Sequence, residues 1–169
     1  MKIFASLLIA VGLSYAVQAV EVKISNVHLC CKSCVTGVEK AIATVGSATA
    51  TVDKDAGSVK ISALEYASLQ EAANALVAAG YFGKSSNARV KMESKSGAKG
   101  KKVESLQITG VHLCCGKCVK AVDGAVTSVT GVESHTAVKN AETFEVKGNF
   151  NDAEVFTALQ KAGLTGKAK

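Results

Sequence analysis

All six cysteines of this 169-residue chain lie in two short segments, and the second segment repeats the first 84 positions on. One is Val27-His28-Leu29-Cys30-Cys31-Lys32-Ser33-Cys34; the other is Val111-His112-Leu113-Cys114-Cys115-Gly116-Lys117-Cys118. They also hold two of the three histidines. Thiols gathered into a recurring cluster mark a site, because structural cysteines scatter through cores or pair at a distance. Two thiols separated by two residues can converge on one ion, and a helix starting there favours their anionic form. Thiolates select soft or borderline ions, namely Cu(I), Zn(II), Cd(II), Hg(II) or Pb(II). Two sulfurs on an exposed loop leave such an ion coordinatively open, which suits carriage and handover better than a closed four-ligand structural site.

The elements that must hold these clusters are legible in the hydrophobic pattern. In Glu21–Val27, Val22 and Ile24 alternate with Lys23 and Ser25, which predicts a half-buried strand. Val35, Val38, Ala41, Ile42 and Val45 then fall at helical spacing, so a helix is expected over Lys32–Thr44, ended by Gly46. Thr49–Asp53 and Ser58–Ala63 read as a hairpin about Lys54-Asp55-Ala56-Gly57. Ser68 and Glu71 have capping-box spacing before a second helix carrying Leu69, Ala72, Ala73, Leu76 and Val77. A last strand is expected from Tyr81 to Met92.

The pattern then restarts. Leu106 and Ile108 answer Val22 and Ile24, and Val119, Val122, Val126 and Val129 line a first helix. Val132–Val138 and Thr143–Lys147 form the hairpin, Asn151 with Glu154 caps a second helix, and the final strand within Leu164–Lys169 is short. The order β-α-β-β-α-β, read twice, predicts an α+β protein of two tandem ferredoxin-like sandwiches, each an antiparallel sheet with two helices on one face. Cys31 then belongs to the loop after the first strand and Cys34 to the first helical turn.

Met1–Ala19 carries only Lys2 as a charge, an apolar run Ile3–Leu13, and small residues in Val17-Gln18-Ala19. This is the pattern of a cleavable signal peptide, 1–19, with cleavage after Ala19 and export to the periplasm or beyond; the mature form is expected to be soluble. The domains are therefore 20–92 and 104–169, joined by a flexible basic linker, 93–103. The net charge of +6 owes much to Lys91, Lys95, Lys99, Lys101 and Lys102. No aromatic residue lies among them for bases to stack on, so a solvated connector is expected and nucleic acid is not.

Each copy resembles a heavy-metal-associated domain, the fold of copper chaperones, metal-ATPase N-terminal domains and periplasmic mercuric-ion binding proteins. The resemblance to the motif Gly-Met-Thr-Cys-x-x-Cys implies Cys31, Cys34, Cys115 and Cys118 as metal ligands, with Leu29 and Leu113 at the buried Met position. The family's late Gly-Tyr falls on Gly80-Tyr81 and on Gly163-Leu164, which implies that Tyr81 packs near the site. Two positions depart from the motif. Cys30 and Cys114 replace its Thr, and each is either a third sulfur ligand or a small buried apolar residue. His28 and His112 replace its Gly, and each is a nitrogen ligand or an ordinary loop histidine. His135 has Ala50 as its counterpart and is expected at the surface.

The resemblance implies a non-enzymatic carrier, chaperone or scavenger, one ion per copy, passing cargo to a metal-transporting membrane protein or another metal-binding domain. A periplasmic thiol–disulfide oxidoreductase is the alternative. The familiar site of that chemistry sets a cis-proline opposite its thiols, and this chain contains no proline. No Ser-His-Asp arrangement or Gly-rich phosphate loop is present to support a hydrolase.

Overall fold

The computed structural model describes residues 18–169. The signal-peptide expectation rests on 1–19, nearly all outside the described residues. Among those described, no helix is long and apolar enough to cross a membrane.

The first half runs β1 (Val20–Ser25), α1 (Lys32–Ala43), β2 (Ala48–Asp53), β3 (Ser58–Ala63), α2 (Tyr66–Ala78) and β4 (Lys84–Ser85). The second repeats it as β5 (Lys102–Thr109), α3 (Gly116–Thr127), β6 (Val132–His135), β7 (Thr143–Asn151), α4 (Asp152–Lys161) and β8 (Lys167–Ala168). The sheets have the orders β2-β3-β1-β4 and β6-β7-β5-β8, antiparallel throughout. These are the two ferredoxin-like sandwiches.

Alternation decides which face of each sheet is covered. Val22 opposes Ile61 and Ile24 opposes Val59, all buried, while Glu21, Lys23 and Lys60 face solvent. Burying one such aliphatic side chain stabilises by about 1.5–3 kcal/mol. From the helices, Val38, Ile42, Leu69, Ala72, Ala73 and Leu76 close the first core. Leu106, Ile108, Phe144 and Val146 repeat the sheet side in the second half, under Val122, Val126, Val155 and Leu159.

The structure corrects the sequence reading in four places. The last strand of the first half is two residues long and does not extend to Met92. Helix α2 begins before Ser68: Glu65 precedes it without a side-chain cap, and buried Ser68 accepts from the Ser47 hydroxyl at 3.0 Å. Asn151 does cap α4, accepting from the Ala153 amide at 2.9 Å. Strand β7 continues to Asn151, pairing with β5 beyond a bulge between Val103 and Ser105, while its hairpin partner β6 stops at His135, short of Val138. Finally, His135 is not free at the surface. Its side chain is 12% exposed, with Nε2 3.0 Å from Asp123 and Nδ1 accepting from the Ala137 amide.

The connector has no regular structure up to β5, yet its backbone is tied down. The Asp152 carboxylate accepts from the Lys99 and Lys101 amides at 2.8 and 2.9 Å, and Ser94 meets Thr165 at 2.7 Å.

The halves meet about a near two-fold relation. Gly163 O accepts from the His28 and Phe82 amides, Gly80 O accepts from the Thr165 amide, and Tyr81 bridges to Leu164. Gly80 and Gly163 sit at positive φ, and a Cβ at either would strike the other half's backbone: Gly110 O in one case, the His28 amide in the other. Only glycine permits that approach.

Candidate metal centre

Each cluster is presented by an extended loop that ends on a helix. Val27 and Leu29 point into their own core, as do Val111 and Leu113. Alternation therefore turns His28 and Cys30, and His112 and Cys114, towards the opposite half. Cys31 and Cys115 are the N-cap residues of α1 and α3 in extended conformation; Cys34 and Cys118 lie fully buried in the first turns.

The two loops face each other, and all six thiols form one group. Across the halves, Cys30 Sγ is 3.3 Å from Cys115 and 3.5 Å from Cys118. Cys114 Sγ is 3.5 Å from Cys31 and 3.5 Å from Cys34. The buried pair Cys34 and Cys118 stands 3.9 Å apart at the centre. Within each half, Cys34 lies 3.6 Å from both Cys30 and Cys31, and Cys118 lies 3.7 and 3.8 Å from Cys114 and Cys115. All six cysteines are free thiols. Sets such as Cys31, Cys34, Cys114 or His28, Cys30, Cys118 bring their donor atoms close enough to hold a metal ion.

The sequence left Cys30 and Cys114 between ligand and buried apolar residue; the structure brings both sulfurs among the other four. His28 and His112 flank the group. Their Nε2 atoms are buried with no hydrogen-bond partner, a loss of about 1–3 kcal/mol each unless a donor, acceptor or ion satisfies them. The His112 ring lies 4.6 Å from that of Tyr81, whose hydroxyl donates to Cys34 O at 3.0 Å. Tyr81 is thus fully buried at the join, clamping the first turn of α1.

The surroundings set the charge. Donation from Cys118 pulls the Cys34 thiol far down while the same contact, with burial, pushes Cys118 up. The halves are nearly equivalent, so this first ionisation belongs to the Cys34–Cys118 pair. Burial pushes Cys30 up to about 12 and also raises Cys114. Cys115 is lowered to about 6, first by the Cys118 amide at the helix start and next by the Cys30 thiol. An open depression over the sulfurs is lined by Cys30, Cys31, Cys115, Gly116, Lys117 and Lys120. The unpartnered imidazoles, the partly ionised thiols and this opening fit a soft cation.

The meeting of the halves was the part of the site that sequence reasoning missed. The signal available was paired: a glycine after each second helix and a histidine before each cysteine cluster.

No family model matches the chain. No curated protein matches it. Among solved structures it is similar to the N-terminal soluble domains of Bacillus subtilis CopA, at 16% identity over 92% of this chain and 97% of that one, with a TM-score of 0.32.

Proposed function

We propose that the chain is an exported, non-catalytic binder of soft or borderline metal ions, which it holds at one thiolate centre built by both halves. One observation carries this reading: six free thiols from two separate loops lie within 3.3–3.9 Å of their neighbours at the domain join. A chain using its cysteines as staples would pair them, and adjacent cysteines close loops too short to stabilise much. The ion is of the class Cu(I), Zn(II), Cd(II), Hg(II) or Pb(II), since thiolate donors select it. Cys30, Cys31, Cys34, Cys114, Cys115 and Cys118 are the ligands, with His28 and His112 as neighbouring nitrogen donors.

Cargo enters and leaves through the depression beside Lys117 and Lys120, handed by thiolate exchange to a metal-transporting membrane protein or another metal-binding domain. The apolar, Lys-led segment Met1–Ala19 supports export to the periplasm or beyond.

Titration of the reduced protein with Zn(II), followed by native mass spectrometry, tests the reading. Tight binding that disappears when all six cysteines are replaced is expected; equal uptake by the cysteine-free variant would overturn it. Export is tested by the N-terminus of the secreted protein, which should begin at Val20.

A further inference from the structure

The arrangement of the six sulfurs points beyond the binding of a single ion, an inference that rests on the metal-binding function proposed for this centre. One tetrahedral ion uses four sulfurs, which would leave two of these thiols idle within contact of it. The distances divide the group differently. Cys30, Cys34, Cys115 and Cys118 outline one tetrahedron, with edges Cys30–Cys115 3.3, Cys30–Cys118 3.5, Cys30–Cys34 3.6, Cys115–Cys118 3.8 and Cys34–Cys118 3.9 Å. Cys31, Cys34, Cys114 and Cys118 outline a second, with Cys31–Cys114 3.5, Cys34–Cys114 3.5, Cys31–Cys34 3.6, Cys114–Cys118 3.7 Å and the same Cys34–Cys118 edge. The sulfur–sulfur contacts of 3.3–3.9 Å each belong to one or the other. Each lacks one closed edge, Cys34 to Cys115 in the first and Cys31 to Cys118 in the second. A zinc–sulfur bond of about 2.3 Å in tetrahedral geometry requires sulfurs about 3.8 Å apart, and the edges that are closed, 3.3–3.9 Å, lie within about half an ångström of that value.

We propose a binuclear centre in which two divalent ions of the zinc class occupy these edge-sharing tetrahedra, with the Cys34 and Cys118 sulfurs bridging both ions. Each ion then takes sulfur from both halves. Cys30 and Cys115 are terminal on one ion, Cys31 and Cys114 on the other. This gives the doubled cysteine of each cluster a purpose: a lone Cys-x-x-Cys pair in each half would supply only four sulfurs. It also explains the full burial of the bridging pair, whose sulfurs need no open face. As the ions enter, the thiols still protonated release their protons to solvent. Six thiolates with two dipositive ions keep a net double negative charge, which exposed Lys32, Lys117 and Lys120 beside the centre offset.

The test loads the reduced full chain with cadmium-113 as a spectroscopic stand-in for zinc. Saturation at two ions per chain is expected, with two cadmium resonances split by coupling through the shared sulfurs. Cys31→Ser should reduce the bound cadmium from two ions to one, and Cys34→Ala, which leaves Cys118 as the one bridge, should weaken the mutual coupling. Circular dichroism of each metal-free variant verifies folding. Two ions without coupling, or saturation at one, would overturn the bridged centre while leaving metal binding intact. Failure to bind cadmium at all would instead remove the underlying reading.

Discussion

At the scale of single residues, the chemistry turns on where protons sit among the sulfurs. Cys115, lowered to about 6 by the amide at the helix start and the Cys30 thiol, is a thiolate at neutral pH. Its alkylation in the metal-free protein should therefore reach half its maximal rate near pH 6. Mass mapping of the labelled cysteine at stepped pH checks this, and an inflection near the ordinary thiol value of 9.0 would contradict it. Cys30 and Cys114 are raised by burial, so bound metal must displace their protons and affinity should rise with pH through the neutral range. His28 lies on the opposite side of the balance. Burial lowers its pKa below the ordinary 6.5, so the unfolded chain binds the extra proton first. The stability it contributes is complete above about pH 6.5 and is lost as pH falls through its folded value. In urea unfolding of the metal-free protein, His28→Gln should flatten the decline below pH 6.5; an unchanged slope would place the acid sensitivity elsewhere.

Elements decide whether those residues can meet. The loop after β1 alternates apolar and polar side chains, so anchoring Val27 and Leu29 inside necessarily turns His28 and Cys30 outwards. Gly80 and Gly163 then let the opposite loop approach. Gly163→Ala should cost about 1–2 kcal/mol from its left-handed backbone alone, with more from the collision with the His28 amide. It should also weaken metal binding by opening the join. Denaturation and metal competition on one variant measure both effects; full affinity in Gly163→Ala would show that the halves need not touch there. Asp152 fastens the connector in a similar local way. Burial raises its carboxyl, but the amides of Lys99, Lys101, Ala153 and Gly100 together hold it below the ordinary value. Asp152→Ala should expose the Lys99–Lys102 stretch to trypsin, with faster cleavage there than in the parent protein. Equal cleavage rates would mean that these hydrogen bonds do not hold the connector.

For the whole molecule, the proposed centre would make metal and fold stabilise each other, since its sulfurs come from both halves. An ion bound by both halves stabilises the closed arrangement by mass action, about 2.7 kcal/mol at a hundredfold excess over Kd. Thermal unfolding should accordingly show one transition with metal and a lower or divided one without it. A melting profile unaffected by saturating zinc would argue that the ion touches only one half. Two linked copies also keep the second loop at high effective concentration near the first, which a separate single-domain protein would have to recover by dimerising.

The repeat, the element order and the cysteine positions were all carried locally. Periods of two and of about 3.6 residues write themselves into Val22, Ile24, Val38 and Ile42 whatever lies opposite them. Errors fell where neighbours in space overrode local preference: Ser68 went into a helix interior, the strand towards Met92 closed after Ser85, and His135 was drawn to Asp123. By itself the sequence determined that two sandwiches each present sulfur at a helix start. Only the tertiary structure decided that the two presentations are one site, because contact between loops 84 positions apart depends on shape and close glycine approach, which no local pattern records.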